Sequence, residues 1–240
     1  PNTGICPPLF SNHSQPPAMS TAALEDTDYD LSSATERTPQ RMSLSEQIQD
    51  MQLWLLKDAK DMGKVLTVLR SYIPRLVTYG IQVDRMLIGT FLIHAQLGAW
   101  SFRYESPDHY SEHQMEREWL MHLRRTVGDD APFRQLELGA QKVRIKGTDG
   151  KIPSDVEYLF TERGYTDMYS LPVFHRKIFS LGITWATQHP DGFSEEQIQF
   201  LDATQPAFGC ILQFLVNELA TYSLLCTYLG SDPGTRVHKG

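Results

Sequence analysis

The stretch Ile178-Phe179-Ser180-Leu181-Gly182-Ile183-Thr184-Trp185-Ala186-Thr187 leads through the turn His189-Pro190-Asp191-Gly192 into Ser194-Glu195-Glu196-Gln197. Phe179, Leu181, Ile183 and Trp185 fall on one face at period two, which predicts a strand. Ser194 to Gln197 is a capping box, with Phe193 and Ile198 placed as its hydrophobic staple, so a helix begins there. Leu201, Gln205, Phe208, Leu212, Leu215, Leu219, Tyr222, Cys226 and Leu229 then recur at spacings of four and three. This is a heptad seam of about four repeats. Pro206 is expected to interrupt its hydrogen bonding near the start. The first half of the seam is expected to pack on the domain's own sheet. From Leu215 onward (Leu215, Leu219, Tyr222, Cys226, Leu229) it is expected to pair with a second copy.

Working upstream, Asp167 to Val173 predicts another strand, Lys142 to Ile145 a short one, and Ser154 to Arg163 a helix ended by Gly164. Met86 to Ile93 is a continuous apolar, β-branched run suited to a strand buried on both faces. After a turn at Leu97-Gly98, Trp100, Phe102 and Tyr104 alternate along a further strand. The polar stretch 107–127 reads as helical in part. Before these lie a helix opened by the capping box Ser43-Leu44-Ser45-Glu46, and a second, Val65 to Tyr79, in which Pro74 should kink or split the chain. The order is helices, two strands, helix, strand, helix, two strands, long helix. That predicts an α+β fold, an antiparallel sheet flanked by helices.

Residues 1–42 are rich in Pro, Ser, Thr and Asn and poor in branched apolar side chains, so a disordered leader is expected. The remainder divides into N-terminal helices (43–79), a core domain (80–217, its last helix beginning near 195) and an exit helix with linker (218–240). Hydrophobic residues make up 41% of the 240, enough to fill one core. A net charge of −7 without a Lys/Arg cluster argues against nucleic acid as a partner. No apolar run looks long enough for a membrane span, no secretory signal is visible, and Cys6, Cys210 and Cys226 lack any paired spacing. A cytoplasmic setting is expected.

Catalytic and metal-binding motifs are absent: no Gly-rich phosphate loop and no G-x-S-x-G elbow. His109 and His113, four apart with Glu112 and Glu116 nearby, would share a helix face, but without HExxH order or a third ligand they read as a solvated face, and no metal is expected. His94 is a turn histidine or an axial haem ligand. Trp100, Phe102, Tyr104, Tyr169 and Trp185 line either a small-molecule pocket or the core.

Three motifs in order carry a family resemblance: Gly164-Tyr165-Thr166-Asp167-Met168-Tyr169-Ser170-Leu171-Pro172, then Ile183-Thr184-Trp185-Ala186-Thr187 with Asp191-Gly192-Phe193-Ser194-Glu195-Glu196, and finally Leu225-Cys226-Thr227-Tyr228-Leu229-Gly230 with Gly234 to Gly240. Over residues 45–240 the chain resembles the GAF-like regions that precede class III adenylate or guanylate cyclase domains. Ser231-Asp232-Pro233 departs from the basic residues usual there, and the Pro would stiffen or break the exit helix. The resemblance implies a GAF/PAS-like, homodimeric regulatory module in cyclic nucleotide signalling. The paired metal-binding Asp residues of such enzymes, with their Mg or Mn, belong to a separate domain outside these 240 residues. The chain itself is therefore expected to hold no cofactor and to be catalytically silent. The alternative is a free-standing, dimeric small-molecule-binding protein with no cyclase.

Overall fold

A computed structural model of the chain describes residues 42–92, 94 and 97–239. The expectations for the leader up to residue 41, for Cys6 and for Ile93 fall outside the described residues. The elements are α1 (Leu44–Lys57), a 3-10 turn (Ala59–Asp61), α2 (Val65–Thr78), β1 (Arg85–Phe91), β2 (Leu97–Glu105), β3 (His109–Glu116), α3 (Arg117–Thr126), α4 (Pro132–Glu137), β4 (Val143–Lys146), α5 (Glu157–Thr161), β5 (Asp167–His175), β6 (Ile178–Thr187), α6 (Glu195–Leu229) and α7 (Ser231–Lys239). All strand pairs are antiparallel, in the order β3-β2-β1-β6-β5-β4. The α+β expectation holds.

Both capping boxes form. Ser43 and Glu46 cap α1, and Ser194 and Gln197 cap α6, each satisfying helix-end amides reciprocally. Neither internal proline ends its helix: α2 runs through Pro74 and α6 through Pro206. The packing of α2 and α6 on the sheet offsets the single hydrogen bond that each ring removes. Tyr72 of α2 stacks on Phe208 of α6 with ring centroids 4.2 Å apart, next to the sheet.

Three sequence expectations need correction. The stretch 107–127 is helical in part, as expected, through α3, but His109–Glu116 before it, where a shared helix face was considered, is strand paired along β2 at the sheet edge. Its polar residues face solvent on both sides of an edge strand, so no apolar alternation announces it. Leu97-Gly98 belongs to β2 rather than to a turn. The exit seam does not continue outward. At Gly230, with φ +88°, the chain reverses and α7 lies back along α6. The fit is so close that a Cβ on Gly234 would stand 2.7 Å from the Cys226 nitrogen. Tyr222 and Cys226 are thereby buried under their own chain, with the Tyr222 hydroxyl 3.3 Å from Thr235 Oγ1. Leu215 is buried in the sheet-side core and Leu219 packs against it, while Leu229 is half exposed.

By length and composition α6 could cross a membrane, although Phe200, Leu201, Phe208 and Leu212 on it are fully buried in the core. The turn into α6 is held by Asp167. This buried carboxylate accepts hydrogen bonds from Arg144 Nη2 (2.8 Å), Arg144 Nε and the Phe193 backbone N–H (3.0 Å). The pairing holds the Arg144 guanidinium above its ordinary value, chiefly through the Asp167 hydrogen bonds. Asp167→Ala would leave that guanidinium in a mostly enclosed site with only the exposed Glu195 and the Phe193 carbonyl as partners. It should cost about 3 kcal/mol in urea unfolding, whereas Glu195→Ala, on the exposed side of the same arginine, should cost under about 1 kcal/mol.

Candidate functional site

The sheet has two unlike faces. Met86, Ile88, Trp100, Phe102, Tyr104, Tyr169, Leu171, Leu181, Ile183 and Trp185 point one way, into the core closed by α1, α2 and α6. The five aromatic residues considered as pocket lining (Trp100, Phe102, Tyr104, Tyr169 and Trp185) all lie there, each buried to 5% exposure or less. They share a face, as their spacing predicts, but it is the sealed one, although Trp100 also borders the cavity on the other side. Tyr169 donates to Asp202 of α6. Burial first, and then that carboxylate, push its phenol well above the ordinary value.

The other face carries Leu87, Gly89 and Phe91 of β1, opposite Arg103, Ser101 and Ala99 of β2, with His113 and Met115 beyond on β3. Over these strands α3 and α4 form a roof, and between roof and sheet lies a cavity of about 670 Å³. That volume is within the range of small-molecule sites. Trp119, Leu120 and Leu123 of α3 and Phe133 of α4 line it from above. The glycines under the roof are required. A Cβ at Gly89 would lie 2.7 Å from the Phe133 ring, and one at Gly182 would lie 2.8 Å from it. Phe133 also meets Phe91 edge-on at 5.5 Å, and this fixes where the floor ends.

Charges around the cavity are mostly spoken for. Glu137 of α4 accepts from Arg124 of α3 and, at 2.7 Å, from Arg134, so one carboxylate ties the two roof helices together. Arg124 also lies over the Phe91 ring, 4.2 Å from its centroid. Arg103 differs: among the described residues it makes no ion pair within 4.0 Å, and its Nε, like that of Arg124, is buried without a hydrogen-bond partner. Its neighbour Arg85 is buried and bonded to Glu105. Burial, and then the charge of Arg103, lower the Arg85 pKa from its ordinary value.

His94 is neither exposed nor disposed as an axial ligand. Its Nδ1 accepts from the Leu97 backbone N–H at 3.1 Å, so the neutral ring carries its proton on Nε2, which lies 3.3 Å from both Ser223 Oγ and Thr227 Oγ1 of α6. Its carbonyl accepts from Arg117, the first residue of α3. Sequence reasoning missed this bridge, because its partners on α6 lie 129 and 133 residues away. His109 and His113 lie four apart on a strand, about 13 Å along it, so the helical pairing considered for them does not arise. Among the described residues no cluster of three or more His, Cys, Asp or Glu could hold a metal.

No protein-family profile and no curated protein matches the chain. Among solved structures it is similar to the phycocyanobilin-bound GAF domain of a cyanobacterial phytochrome (12% identity over 74% of this chain and 97% of that one, TM-score 0.46). It is also similar to the GAF domain of a two-component sensor histidine kinase from Bacillus halodurans (10%, 64% and 98%, 0.44). A third likeness is to the N-acylhomoserine lactone dependent LuxR family factor CepR2 from Burkholderia cenocepacia (12%, 72% and 99%, 0.45). At these scores the likeness is one of arrangement alone.

The glycine floor makes a direct test of the roof. Gly89→Val should drive Phe133 off the sheet and destabilise the fold by about 1–3 kcal/mol, read as a lower urea midpoint. Ser101→Phe, which grows into open cavity, should cost less.

Proposed function

We propose that the chain is a sensory module in which the cavity on the open face receives a small molecule and α6 carries the response outward. One observation carries this reading. His94 joins the cavity roof to the exit helix, with its carbonyl held by Arg117 of α3 and its ring held by Ser223 and Thr227 of α6. The same residue lies just beyond the end of β1, which closes at Phe91. A ligand that repositions α3 therefore changes the contacts of α6 directly. The energy available for switching is the difference in ligand affinity between the two arrangements.

The finer reading is that this module regulates a class III adenylate or guanylate cyclase. Its support is the ordered resemblance of the Gly164–Pro172, Ile183–Glu196 and Leu225–Gly240 segments to cyclase-linked GAF-like regions. The chain then works as a homodimer through its flanking helices. With Tyr222 and Cys226 covered by α7, the surface proposed for a second copy is the outer side of α1 and α6. There Leu53, Leu56 and Phe214 are each more than half exposed. These two helices also pack on each other, with Gln52 Nε2 donating to the Ala203 carbonyl at 2.8 Å.

Four outcomes follow. Ser101→Phe should alter amide hydrogen exchange at residues 220–229, and adding His94→Ala should abolish that response; an unchanged α6 in the single variant overturns the sensor reading. Phe214→Glu should convert the dimer to monomer in light scattering. The chain alone should form no cyclic nucleotide from ATP or GTP with Mg or Mn. Placed ahead of a class III catalytic domain, it should change that domain's output, and Ser101→Phe should change it again.

A further inference from the structure

The cavity is graded along its length. At one end Phe91, Ala99, Met115, Leu120 and Phe133 make an apolar enclosure, and Arg103 stands at the other. Ala99 and Arg103 lie four residues apart on β2, a span of about 13 Å. The charges near the polar end do not cancel. Arg85 and Glu105 pair with each other, and Arg124 and Arg134 are ion-paired with Glu137, whereas Arg103 has no ion pair among the described residues and a buried Nε that bonds to nothing. A buried, unsatisfied donor on a cation is costly to leave unmade. Of the carboxylates lining the cavity, Glu137 is held by arginines, and Glu116 is exposed at the end of β3. Asp155 is at the rim, where burial pushes its carboxyl pKa upward.

We propose that this cavity binds an elongated, mostly apolar molecule ending in a carboxylate, whose charge is taken by Arg103 while its chain lies between the Phe91–Met115 floor and the α3–α4 roof. The proposal rests on the sensor reading of the same cavity and names its ligand class. A guanidinium presents paired N–H donors in a plane, which suits a carboxylate in two-point contact. The apolar end contributes affinity in proportion to the chain buried.

The test is calorimetric titration of the whole chain at pH 8 with decanoate, octanoate and decan-1-ol. Decanoate should bind at least about tenfold more tightly than decanol, the worth of a hydrogen bond to a charged group. Octanoate should bind about fifteenfold more weakly than decanoate, about fourfold for each methylene. Arg103→Met should bring decanoate to the level of decanol and leave decanol unchanged, which shows that the variant is folded with its cavity intact. Ser101→Phe should block both probes.

Equal affinity for acid and alcohol, or no effect of Arg103→Met, overturns the anionic assignment while the cavity still binds. Binding that survives Ser101→Phe places the probe elsewhere and overturns the proposal. If neither probe binds but Ser101→Phe still alters α6 exchange, the ligand class is wrong and the sensor reading stands. If α6 is also unresponsive, both fall.

Discussion

The period-two alternation of β1, β2, β5 and β6 is the constraint on which the rest of this structure depends. Because successive side chains leave a strand on opposite sides, one register places Trp100, Phe102, Tyr169 and Trp185 together, and with them nearly all the large aromatic mass of the sheet. That face can only be satisfied by burial, and α1, α2 and α6 provide it. The remaining face carries Phe91 and Arg103 toward its two ends but only small residues between and beside them, namely Gly89, Ala99, Ser101 and Gly182. A layer of helix over such a floor cannot fill it. Phe133 reaches the glycines at one side, and a cavity remains at the other.

The two faces are not independent. The connection from β1 to β2 passes through His94, which is buried and uses both ring nitrogens. One of its contacts belongs to the roof of the open face and two belong to the long helix of the sealed face. A rigid sheet with a bonded histidine at its rim is a short mechanical path between a pocket and a helix. It runs through discrete hydrogen bonds that are either made or broken, which suits a two-state response better than gradual deformation. The Asp167–Arg144 pair holds the opposite end of α6, beside its capping box.

Much of the architecture was legible along the chain. The β5, β6 and α6 succession followed from contiguous patterns: alternating apolar residues, a Pro-Asp-Gly turn, then Ser194 and Gln197. Strand β3 was not legible, because an edge strand with Glu112, His113 and Gln114 exposed has no buried face to set a period. Helix α4 is six residues opened by Pro132, too short for a periodic signal. The candidate site was legible only as a set of aromatic residues, and the set was real. Its members meet on the face opposite the cavity, while the cavity's distinguishing charge, Arg103, carries no motif.

The sequence by itself determined which residues of β2 share a face and that Leu181, Ile183 and Trp185 do, though not Phe179, which a register shift turns toward Phe91 and Phe133 on the open face. It also determined where α1 and α6 begin, and that strands would be framed by helices. Periodicity and capping are local, written within a turn or two of chain, and survive whatever the rest of the molecule does. Only the tertiary structure decided which face the helices would seal, that α7 would fold back over Tyr222 and Cys226, and that His94 would meet Ser223 and Thr227. Those outcomes depend on contacts between distant segments and on the space left after the larger side chains are packed. No local pattern encodes that remainder.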